Sequence, residues 1–536
     1  MGALRHLLRL IVPVLLPASS ALAGPIPAPT LEWERGGCFT SWCQTGWYSS
    51  PAVADLDGDG APEVLWGSYD LTAIDGEDGT LQWRASNAQR VWPGVAVADL
   101  SGDGTLEIIV GRGGDQLTVY DTSGDVVWAR NPFGFGEVRT LAVADLDGDG
   151  PLEVIVGRTG SGNDQQLRVY EADGAARSGW PAPEPGDDGY GAGLYNQNVA
   201  IRDFDGDGEA EIIGPTDTHY ITALDRLGNQ LPVDPIYVGR YVWREVGVHV
   251  DHLVDVRGYA FCGVEHRPNW AHSAPITSDL DGDRTFEIVV VGNVYDCDTN
   301  PYTSLYHMAF ALEIDRTRWT GSGHDWTAIP APEPNAAPLS EDYTLIENAQ
   351  PNVVAADLDG DGEKEILFPS YDGRLHAYWL DKTQHGSWPY AVPGEGIRFA
   401  SEPAVVDIDG DGAAEVIFAS WPQKGGNRIG QLHMLDAMGN PLHAVSLPAP
   451  HGGATWNGGL AAPTVANIDG DASLEVVVGT SSSGAVAYEL PGSADARVLW
   501  GTGRGSYLRA GKVEDTVIMS DGFESGDTGA WSQVVP

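Results

Sequence analysis

A nine-residue acidic phrase recurs eight times along the chain, and its residue types are those that bind a divalent cation. Most copies read D-x-D-G-D-G-x-x-E, and their first residues are Asp55, Asp99, Asp145, Asp203, Asp279, Asp357, Asp407 and Asn467. Calcium takes about six to eight oxygen ligands and prefers carboxylates and carbonyls. Eight copies with a glutamate at one offset argue against a plain acidic turn, because carboxylates packed together without a cation repel one another.

The first copy shows how such a loop would hold the ion. Asp55, Asp57 and Asp59 supply alternating carboxylates, the carbonyl of Ala61 adds a ligand, and Glu63 closes the shell. The opening resembles an EF-hand loop, but the closing acid stands at position nine and a strand-like run follows it. The predicted cofactor is therefore Ca²⁺. The predicted ligands are Asp55, Asp57, Asp59, Ala61, Glu63; Asp99, Ser101, Asp103, Thr105, Glu107; Asp145, Asp147, Asp149, Pro151, Glu153; Asp203, Asp205, Asp207, Glu209, Glu211; Asp279, Asp281, Asp283, Glu287; Asp357, Asp359, Asp361, Glu363, Glu365; Asp407, Asp409, Asp411, Ala413, Glu415; and Asn467, Asp469, Asp471, Glu475.

The eight loops are not equivalent. Ser101 replaces an aspartate in the second loop, Arg284 replaces a glycine in the fifth, and in the eighth Asn467 and Ala472 replace the first aspartate and a glycine. A side chain at a turn that needs positive φ is strained. We therefore rank the fifth and eighth loops as the weakest sites and the second as intermediate.

The flanks of the loops predict the elements that position them. A short strand-like run precedes each loop, a β-branched run such as Ile108-Ile109-Val110-Gly111 follows it, and two further short runs complete the unit, the last often containing Trp. Four strands per unit at this spacing are typical of a β-propeller blade. The expected fold is an all-β propeller of eight four-stranded blades, with seven as the alternative. The run Leu31-Glu32-Trp33 could close the ring by pairing with the last blade, although Leu499-Trp500 competes for that place.

The rest of the chain sets the compartment and the domain plan. Residues 1–23 resemble a cleaved signal peptide, with Arg5, an apolar run and an A-x-A site. Residues 24–512 form a single propeller, and residues 513–536 form an acidic tail outside the repeats. We expect a secreted or cell-surface monomer, with the periplasm as the alternative compartment. An even cysteine count then suggests disulfides; Cys38–Cys43 with Cys262–Cys297 is the preferred pairing among three.

The charge excludes some partners. The chain carries 76 acidic and 30 basic residues, for a formal net charge of -46. Such a charge disfavours nucleic acid and anionic membrane surfaces. No stretch after the signal peptide is long enough to cross a bilayer.

These units resemble the FG-GAP/VCBS-type repeats of integrin α-chain-like propellers over about residues 45 to 500. The loops and the strands that end in glycine, such as Glu107-Ile108-Ile109-Val110-Gly111, carry the likeness. The resemblance implies a propeller with Ca²⁺ in its loops. It leaves the activity open, because such repeats occur in adhesins, receptors and carbohydrate-active enzymes.

Three functions compete. The preferred one is an extracellular binding or adhesion module for a glycan or a protein, with no catalytic residues. Candidate contact aromatics lie in the insertions, although packing is the commoner role for each: Tyr190, Tyr195, Trp243, Trp270 and Trp456. The second is an enzyme resembling rhamnogalacturonan lyases, with a base drawn from His249, His252, Glu265, His266 and His272. The third is a quinoprotein, suggested by Leu71–Trp83, a phrase that also fits any outer hairpin of a blade.

Overall fold

The computed structural model describes residues 25–37, 48–159, 166–178, 180, 193–194, 199–257, 266–271, 273–296, 303–340 and 350–512. Small antiparallel sheets follow one another along the chain and form an eight-bladed β-propeller. The eight-bladed prediction is confirmed. Residues 1–24, all four cysteines and residues 513–536 lie outside the described part of the chain.

Five blades have the expected four strands. In each, the first strand lies at the central channel and the others follow outward. The strands are Ala52–Ala54, Glu63–Gly67, Leu71–Asp75 and Leu81–Ala85 in blade 1; Ala96–Ala98, Glu107–Arg112, Gln116–Tyr120 and Val126–Arg130 in blade 2; Val354–Ala356, Glu365–Pro369, Arg374–Tyr378 and Tyr390–Ala391 in blade 6; Ala404–Asp407, Glu415–Pro422, Gln431–Leu435 and Pro441–Ser446 in blade 7; and Thr464–Ala466, Leu474–Gly479, Ala485–Leu490 and Thr30–Gly36 in blade 8.

In the part of the chain that the structure describes, blades 3, 4 and 5 have three full strands each, and a single bridge residue stands in the fourth position: Ala176, Gln230 and Arg318 respectively. Their strands are Glu137–Ala144, Glu153–Thr159 and Leu167–Tyr170; Ala200–Arg202, Glu211–Pro215 and Ile221–Leu224; and Ile276–Ser278, Glu287–Asp296 and Thr303–Leu312. Within the described residues, the fourth strand of these blades is thus reduced to a short bridge after a tight turn.

The remaining elements are short additions. His266–Asn269 pairs with the C-terminal half of Glu287–Asp296, and Arg398–Ala400 pairs with the C-terminal end of Glu415–Pro422. The others are the hairpin Thr320–Gly321 with His324–Asp325, the parallel pair Arg428–Ile429 with Trp456–Asn457, the 3-10 turn Trp243–Glu245, the helix His252–Arg257 and the strand Arg497–Trp500. Within the described residues, neither helical segment has the length and apolar character needed to cross a bilayer.

The core lies between blades, because each sheet packs both faces against its neighbours. Strand Glu63–Gly67 is buried at every position, unlike a strand with one face in water. Leu65 of blade 1 packs with Ile108 of blade 2. The glycine that ends the second strand is a close-approach site: a Cβ at Gly111 would lie 2.7 Å from Val138 Cγ1 of the next blade.

Tryptophans on the outer edge fasten one blade to the next. The indole N–H of Trp83 donates to the carbonyl of Thr122 at 3.0 Å, and that of Trp128 donates to Ala172 at 3.0 Å. The same contact joins Trp33 to Gly76, Trp243 to Ile314, Trp326 to Leu380, and Trp388 to Ala437. The recurring Trp in the sequence therefore links two neighbouring blades, because its indole N–H, the only polar group of the side chain, donates a hydrogen bond to the next blade.

The N-terminal strand closes the ring. Thr30–Gly36 pairs antiparallel with Ala485–Leu490 and forms the outer strand of blade 8. The closure predicted for Leu31-Glu32-Trp33 is confirmed. The competing assignment of Leu499-Trp500 to blade 8 was wrong.

Residues 497–512 instead return into the central channel, and we call this segment the plug. Arg497–Trp500 pairs with Ala404–Asp407, the first strand of blade 7. Farther on, backbone N–H groups of first strands around the ring donate to plug carbonyls: Val465 to Gly501, Val97 to Tyr507, Val143 to Leu508, Ile201 to Ala510 and Thr277 to Gly511. This segment was not predicted from the sequence, because its hydrogen bonds use backbone atoms and most of them join positions that are far apart in the chain.

Two fully buried arginines complete the plug. Arg509 donates to the carbonyls of Val95, Pro51 and Gly503 at 2.9, 2.8 and 2.7 Å. Arg504 donates to the carbonyls of Val199 and Pro275, and the Glu402 carboxylate accepts its backbone N–H at 2.9 Å. Burial lowers the pKa of both guanidinium groups to about 10. They stay charged at neutral pH and tie the plug to several blades.

Candidate metal centres

All eight acidic loops lie at one end of the ring, because each joins the first strand of its blade to the second. Neighbouring loops are connected through the backbone. Leu152 N donates to Leu100 O at 2.8 Å, Ala210 N to Leu146 O at 3.0 Å, and Ala414 N to Leu358 O at 2.8 Å. The loops thus form a linked series on one face, which we call the loop face.

The first residue of the phrase, an aspartate in all loops but the eighth, accepts hydrogen bonds from the backbone of its own loop. In the first copy, Asp55 accepts the N–H of Gly58 at 2.8 Å and that of Gly60 at 3.0 Å. Both glycines have positive φ, 76° and 89°, a conformation open to glycine at little cost. In the fifth loop Arg284 keeps the same hydrogen bond, to Asp279 at 3.0 Å, at a φ of 71°. The loop shape therefore survives there with backbone strain of about 1–2 kcal/mol.

The closing glutamate has the same role in all eight loops. Its Oε2 accepts the N–H of the residue after the first loop position, as in Glu63 with Leu56 at 2.8 Å and Glu365 with Leu358 at 2.7 Å. The equivalent pairs are Glu107 with Leu100, Glu153 with Leu146, Glu211 with Phe204, Glu287 with Leu280, Glu415 with Ile408 and Glu475 with Ile468. One oxygen is thus tied to the loop backbone. The second oxygen is buried without a hydrogen bond in Glu365 and Glu475, whereas those of Glu63 and Glu153 have side-chain partners.

Several carboxylate oxygens in the loops are buried without a hydrogen bond. They are Glu365 Oε1, Glu475 Oε1, Asp147 Oδ1, Asp279 Oδ1, Asp281 Oδ2, Asp359 Oδ1 and Asp407 Oδ1. A buried, unpaired polar atom costs about 1–3 kcal/mol, and more when it carries charge. A cation in the loop would provide the missing partner.

The carboxylates also converge. In loops 1, 3, 4 and 5, three side chains each place an oxygen within 4.8 Å of the others: Asp55, Asp57 and Asp59; Asp145, Asp147 and Glu153; Asp203, Asp205 and Asp207; and Asp279, Asp281 and Glu287. In loop 8 the group is Glu32, Asp469 and Glu475. The sequence prediction did not include Glu32, which lies more than 400 residues away on the ring-closing strand.

Burial and mutual repulsion of these carboxylates raise the pKa values of the glutamates among them. Burial, followed by the charges of nearby aspartates, raises the pKa of Glu365 to about 9 and those of Glu287, Glu415 and Glu475 to about 8. The same causes, burial first, raise the pKa of Glu32 to about 7. A bound divalent cation would oppose both effects by favouring the ionised form.

Internal partners distinguish individual loops. Gln82 donates to Glu63 Oε1 at 2.8 Å in the first loop, and Trp379 Nε1 donates to Asp359 Oδ2 at 3.0 Å in the sixth. In the third loop the Arg177 guanidinium lies 2.8 Å from Glu153 Oε1 and 3.2 Å from Asp147 Oδ2. Arg177 brings a positive charge into that loop and competes there with a metal ion, which the loop's own sequence did not reveal.

The opposite end of the ring carries the longer connections and a different chemistry. Three cations lie against tryptophan rings there, and we call this group the cation–aromatic cluster: Arg90, Trp92, Arg139, Trp421, Lys424 and Trp456. The Lys424 ammonium lies 5.9 Å from the ring centroids of both Trp421 and Trp456. The guanidinium of Arg139 lies 3.9 Å from the Trp92 centroid, and that of Arg90 lies 5.2 Å from it.

The cluster is partly open. Trp92 and Trp456 are half-buried and Lys424 is exposed, whereas Trp421 is buried beneath them. A cavity of about 260 Å³, lined by Trp421, Arg398 and Arg428 among others, adjoins it. Although Lys424 reaches the surface, its partial burial, followed by the nearby Arg90 charge, lowers the pKa of its ammonium group. Positive charge and aromatic surface therefore meet on one patch of an otherwise acidic protein.

The predicted histidine site has a structural environment where the structure describes it. His249 is buried, and its Nδ1 lies 2.9 Å from Asp255 Oδ1. Asp255 also accepts from Arg318 at 3.0 Å and from Arg316 at 3.4 Å. This network anchors helix His252–Arg257 to blade 5. His266 is exposed on a short strand, and Glu265 and His272 lie outside the described residues.

The aromatic candidates separate into two groups. Trp243 and Trp270 are fully buried and pack in the core, as their commoner role predicts. Trp456 alone among the described candidates belongs to the cation–aromatic cluster. Tyr190 and Tyr195 lie outside the described residues.

Comparison of the sequence with family models supports the repeat. A family model described as an FG-GAP-like repeat matches residues 341–418, which contain blade 6 and the start of blade 7. No curated protein matches the sequence.

Solved structures resemble the chain at low identity. The V. cholerae biofilm matrix protein Bap1 is 14% identical, with a TM-score of 0.49, over 86% of this chain and 91% of that one. A Bacillus licheniformis rhamnogalacturonan lyase is 18% identical, with a TM-score of 0.41, over 82% and 71%. BamB from Moraxella catarrhalis is 13% identical, with a TM-score of 0.42, over 82% and 94%. From its own strand order and the repeat match, the chain is an eight-bladed β-propeller that carries an FG-GAP-like repeat.

Proposed function

We propose that this chain is a calcium-stabilised propeller that acts outside the cell as a binding module. Calcium in the acidic loops holds the loop face together. The opposite face, with its cation–aromatic cluster, receives a glycan that bears carboxylate groups. The chain is exported through its N-terminal segment to a compartment where calcium is abundant.

The donor atoms favour calcium over other metals. The loops offer carboxylate and carbonyl oxygens and contain no His or Cys in the phrase itself. Hard cations with many oxygen ligands suit this set, while zinc and copper prefer nitrogen or sulfur. The buried oxygens that lack a hydrogen bond, such as Glu365 Oε1, support a ligand that binds within the loop. Extracellular calcium modules bind with Kd values of about 10⁻⁴–10⁻³ M, so such loops would be loaded constitutively.

The cation–aromatic cluster carries the proposal of a ligand. Only 30 residues of this chain are basic, yet Arg90, Arg139 and Lys424 lie together against indole rings. A sugar ring has an apolar C–H face that packs on an indole, and its carboxylate pairs with a cation. A long nucleic acid would be repelled by the surrounding negative charge, whereas a short acidic saccharide contacts only the patch.

Binding of trigalacturonate tests this proposal. The acid should bind in the presence of calcium, and its trimethyl ester, which has the same rings without charge, should bind about tenfold more weakly or not at all. Lys424→Gln should weaken binding of the acid by about tenfold, the effect of losing one charge-assisted contact.

Lys382→Gln is the matched control. Lys382 lies on the loop-face side of blade 6, where it donates to the carbonyl of Asp325 at 2.7 Å. Its loss makes the same charge change and should leave binding unaltered. Equal titration curves for the acid and the ester, measured by isothermal calorimetry, would reject the acidic-glycan assignment.

The lyase alternative gains no support from the histidine network. A general base needs access to substrate. His249 is buried, with Asp255 on its Nδ1 and Arg318 on its backbone carbonyl. The quinoprotein-like phrase Leu71–Trp83 forms an outer hairpin of blade 1, and its Trp83 donates a hydrogen bond to blade 2.

A further inference from the structure

The N-terminal strand closes the ring through a weakly buried surface. Of its seven residues only Trp33 and Gly36 are buried. Its main contacts are the ladder to Ala485–Leu490 and the bond from Trp33 Nε1 to Gly76 O at 2.7 Å. An exposed closing strand of this kind gains from an additional attachment to the last blade.

Glu32 is the residue that the ladder skips. Leu31 pairs with Tyr488 and Trp33 pairs with Ala487, so Glu32 is an extra residue in a bulge. A bulge redirects a side chain away from the regular alternation of the strand. The redirected Glu32 places a carboxylate oxygen within 4.8 Å of oxygens of Asp469 and Glu475, in the eighth acidic loop.

Glu475 supplies an independent sign of a missing ligand. Its side chain is fully buried, and its Oε2 accepts the N–H of Ile468 at 2.8 Å. Its Oε1 is buried and has no hydrogen bond. Glu475 belongs to the same group of converging carboxylates as Glu32 and Asp469.

Glu32 also restores the carboxylate complement of the loop. Asn467 replaces the first aspartate, and its amide is used internally, accepting from Gly470 N at 2.8 Å and donating to Asp471 O at 2.6 Å. Asp469, Asp471 and Glu475 leave the loop one acid short of the first loop. Glu32 returns the number to that of Asp55, Asp57, Asp59 and Glu63.

We infer that Glu32 and the eighth loop together form a calcium site that fastens the N-terminal strand to the last blade, so that calcium closes the ring. This inference rests on the calcium loading proposed above. The ranking of the eighth loop among the weakest sites considered only the residues of the loop itself, and Glu32 lies outside that loop. Without the ion, the same carboxylates repel and loosen the closing strand.

The test compares Glu32→Gln with Glu34→Gln, which makes the same charge change on the same strand. Within the described residues, the one ion pair of Glu34 is with its exposed neighbour Arg35, at 3.4 Å. Glu32→Gln should bind one calcium ion fewer per chain and show a smaller calcium-induced rise in Tm. In EDTA its Tm should equal or exceed that of the wild type, because a repulsion has been removed. Glu34→Gln should match the wild type in both conditions.

Hydrogen exchange of residues 30–36 adds a local readout. Calcium should slow their exchange in the wild type and in Glu34→Gln, but not in Glu32→Gln or Asp469→Asn. If Glu32→Gln does not fold, Asp469→Asn provides a second variant that tests the same site. An equal calcium response in Glu32→Gln and Glu34→Gln, or a Tm lowered equally with and without calcium, would overturn the inference. A wild-type protein that takes up no calcium would instead reject the proposed function itself.

Discussion

A chain that ends at residue 496 is expected to lose the stable ring, whereas a chain that ends at Lys512 should keep it. The shorter chain lacks the plug, whose carbonyls accept backbone N–H groups from first strands around the channel. Without it those N–H groups line an open channel, and the unpaired strand edges promote association. Circular dichroism and size-exclusion chromatography should show a poorly folded or aggregated species for the shorter chain only.

A single substitution in the plug tests its contribution to stability without removing the segment. Arg509→Met removes the donor to three backbone carbonyls and should lower the free energy of unfolding by at least about 3 kcal/mol, since buried acceptors lose their partner. Arg84→Met is the control, because Arg84 is exposed on an outer strand of blade 1. Urea titration followed by tryptophan fluorescence measures both. Equal midpoints for the two variants would mean that the plug adds little to the ring.

Removal of calcium should lower Tm by a large margin. An ion that binds only the folded state stabilises it by RT ln(1 + [Ca]/Kd), about 1–2 kcal/mol per site at several millimolar calcium and a Kd near 10⁻⁴–10⁻³ M. Several loaded loops together would contribute a large fraction of a typical folding free energy. Thermal scans in EDTA and in calcium measure the difference.

Ionic strength must be matched in those scans, because a chain of net charge -46 is stabilised by any screening salt. Sodium chloride at the same ionic strength should recover only a small part of the lost Tm. Magnesium should recover less than calcium, because it requires a tighter octahedral shell and gives up its water reluctantly. Scans with and without EDTA that superimpose would count against calcium in the loops.

The parts that sequence predicts well are local. The spacing of Asp55, Asp57 and Asp59 with Glu63 locates a loop between two strands, and eight such loops give the number of blades. The constant offset of the closing glutamate, such as Glu63, was visible in the repeat, but its bond to the backbone N–H of Leu56 was not predicted. The closing strand near Trp33 was predictable because its pattern matches that of the outer strands.

The parts that sequence missed depend on distant contacts. Arg504 and Arg509 look like ordinary charged residues in a polar stretch, yet both are fully buried in the channel. Leu499-Trp500 has the pattern of an outer strand but pairs with an inner one, because a strand pattern does not specify its partner. Glu32 and Arg177 enter acidic loops from separate strands and turns, so no loop motif contains them.

Calcium bound to the purified chain is the most direct test of the account. The protein, stripped with chelator and then dialysed against millimolar calcium, should retain several calcium ions per chain by elemental analysis. Substitution of buried loop glutamates such as Glu365→Gln should remove ions from that total. A chain that holds essentially no calcium after this treatment, while remaining folded, would contradict the assignment of its acidic loops as metal sites.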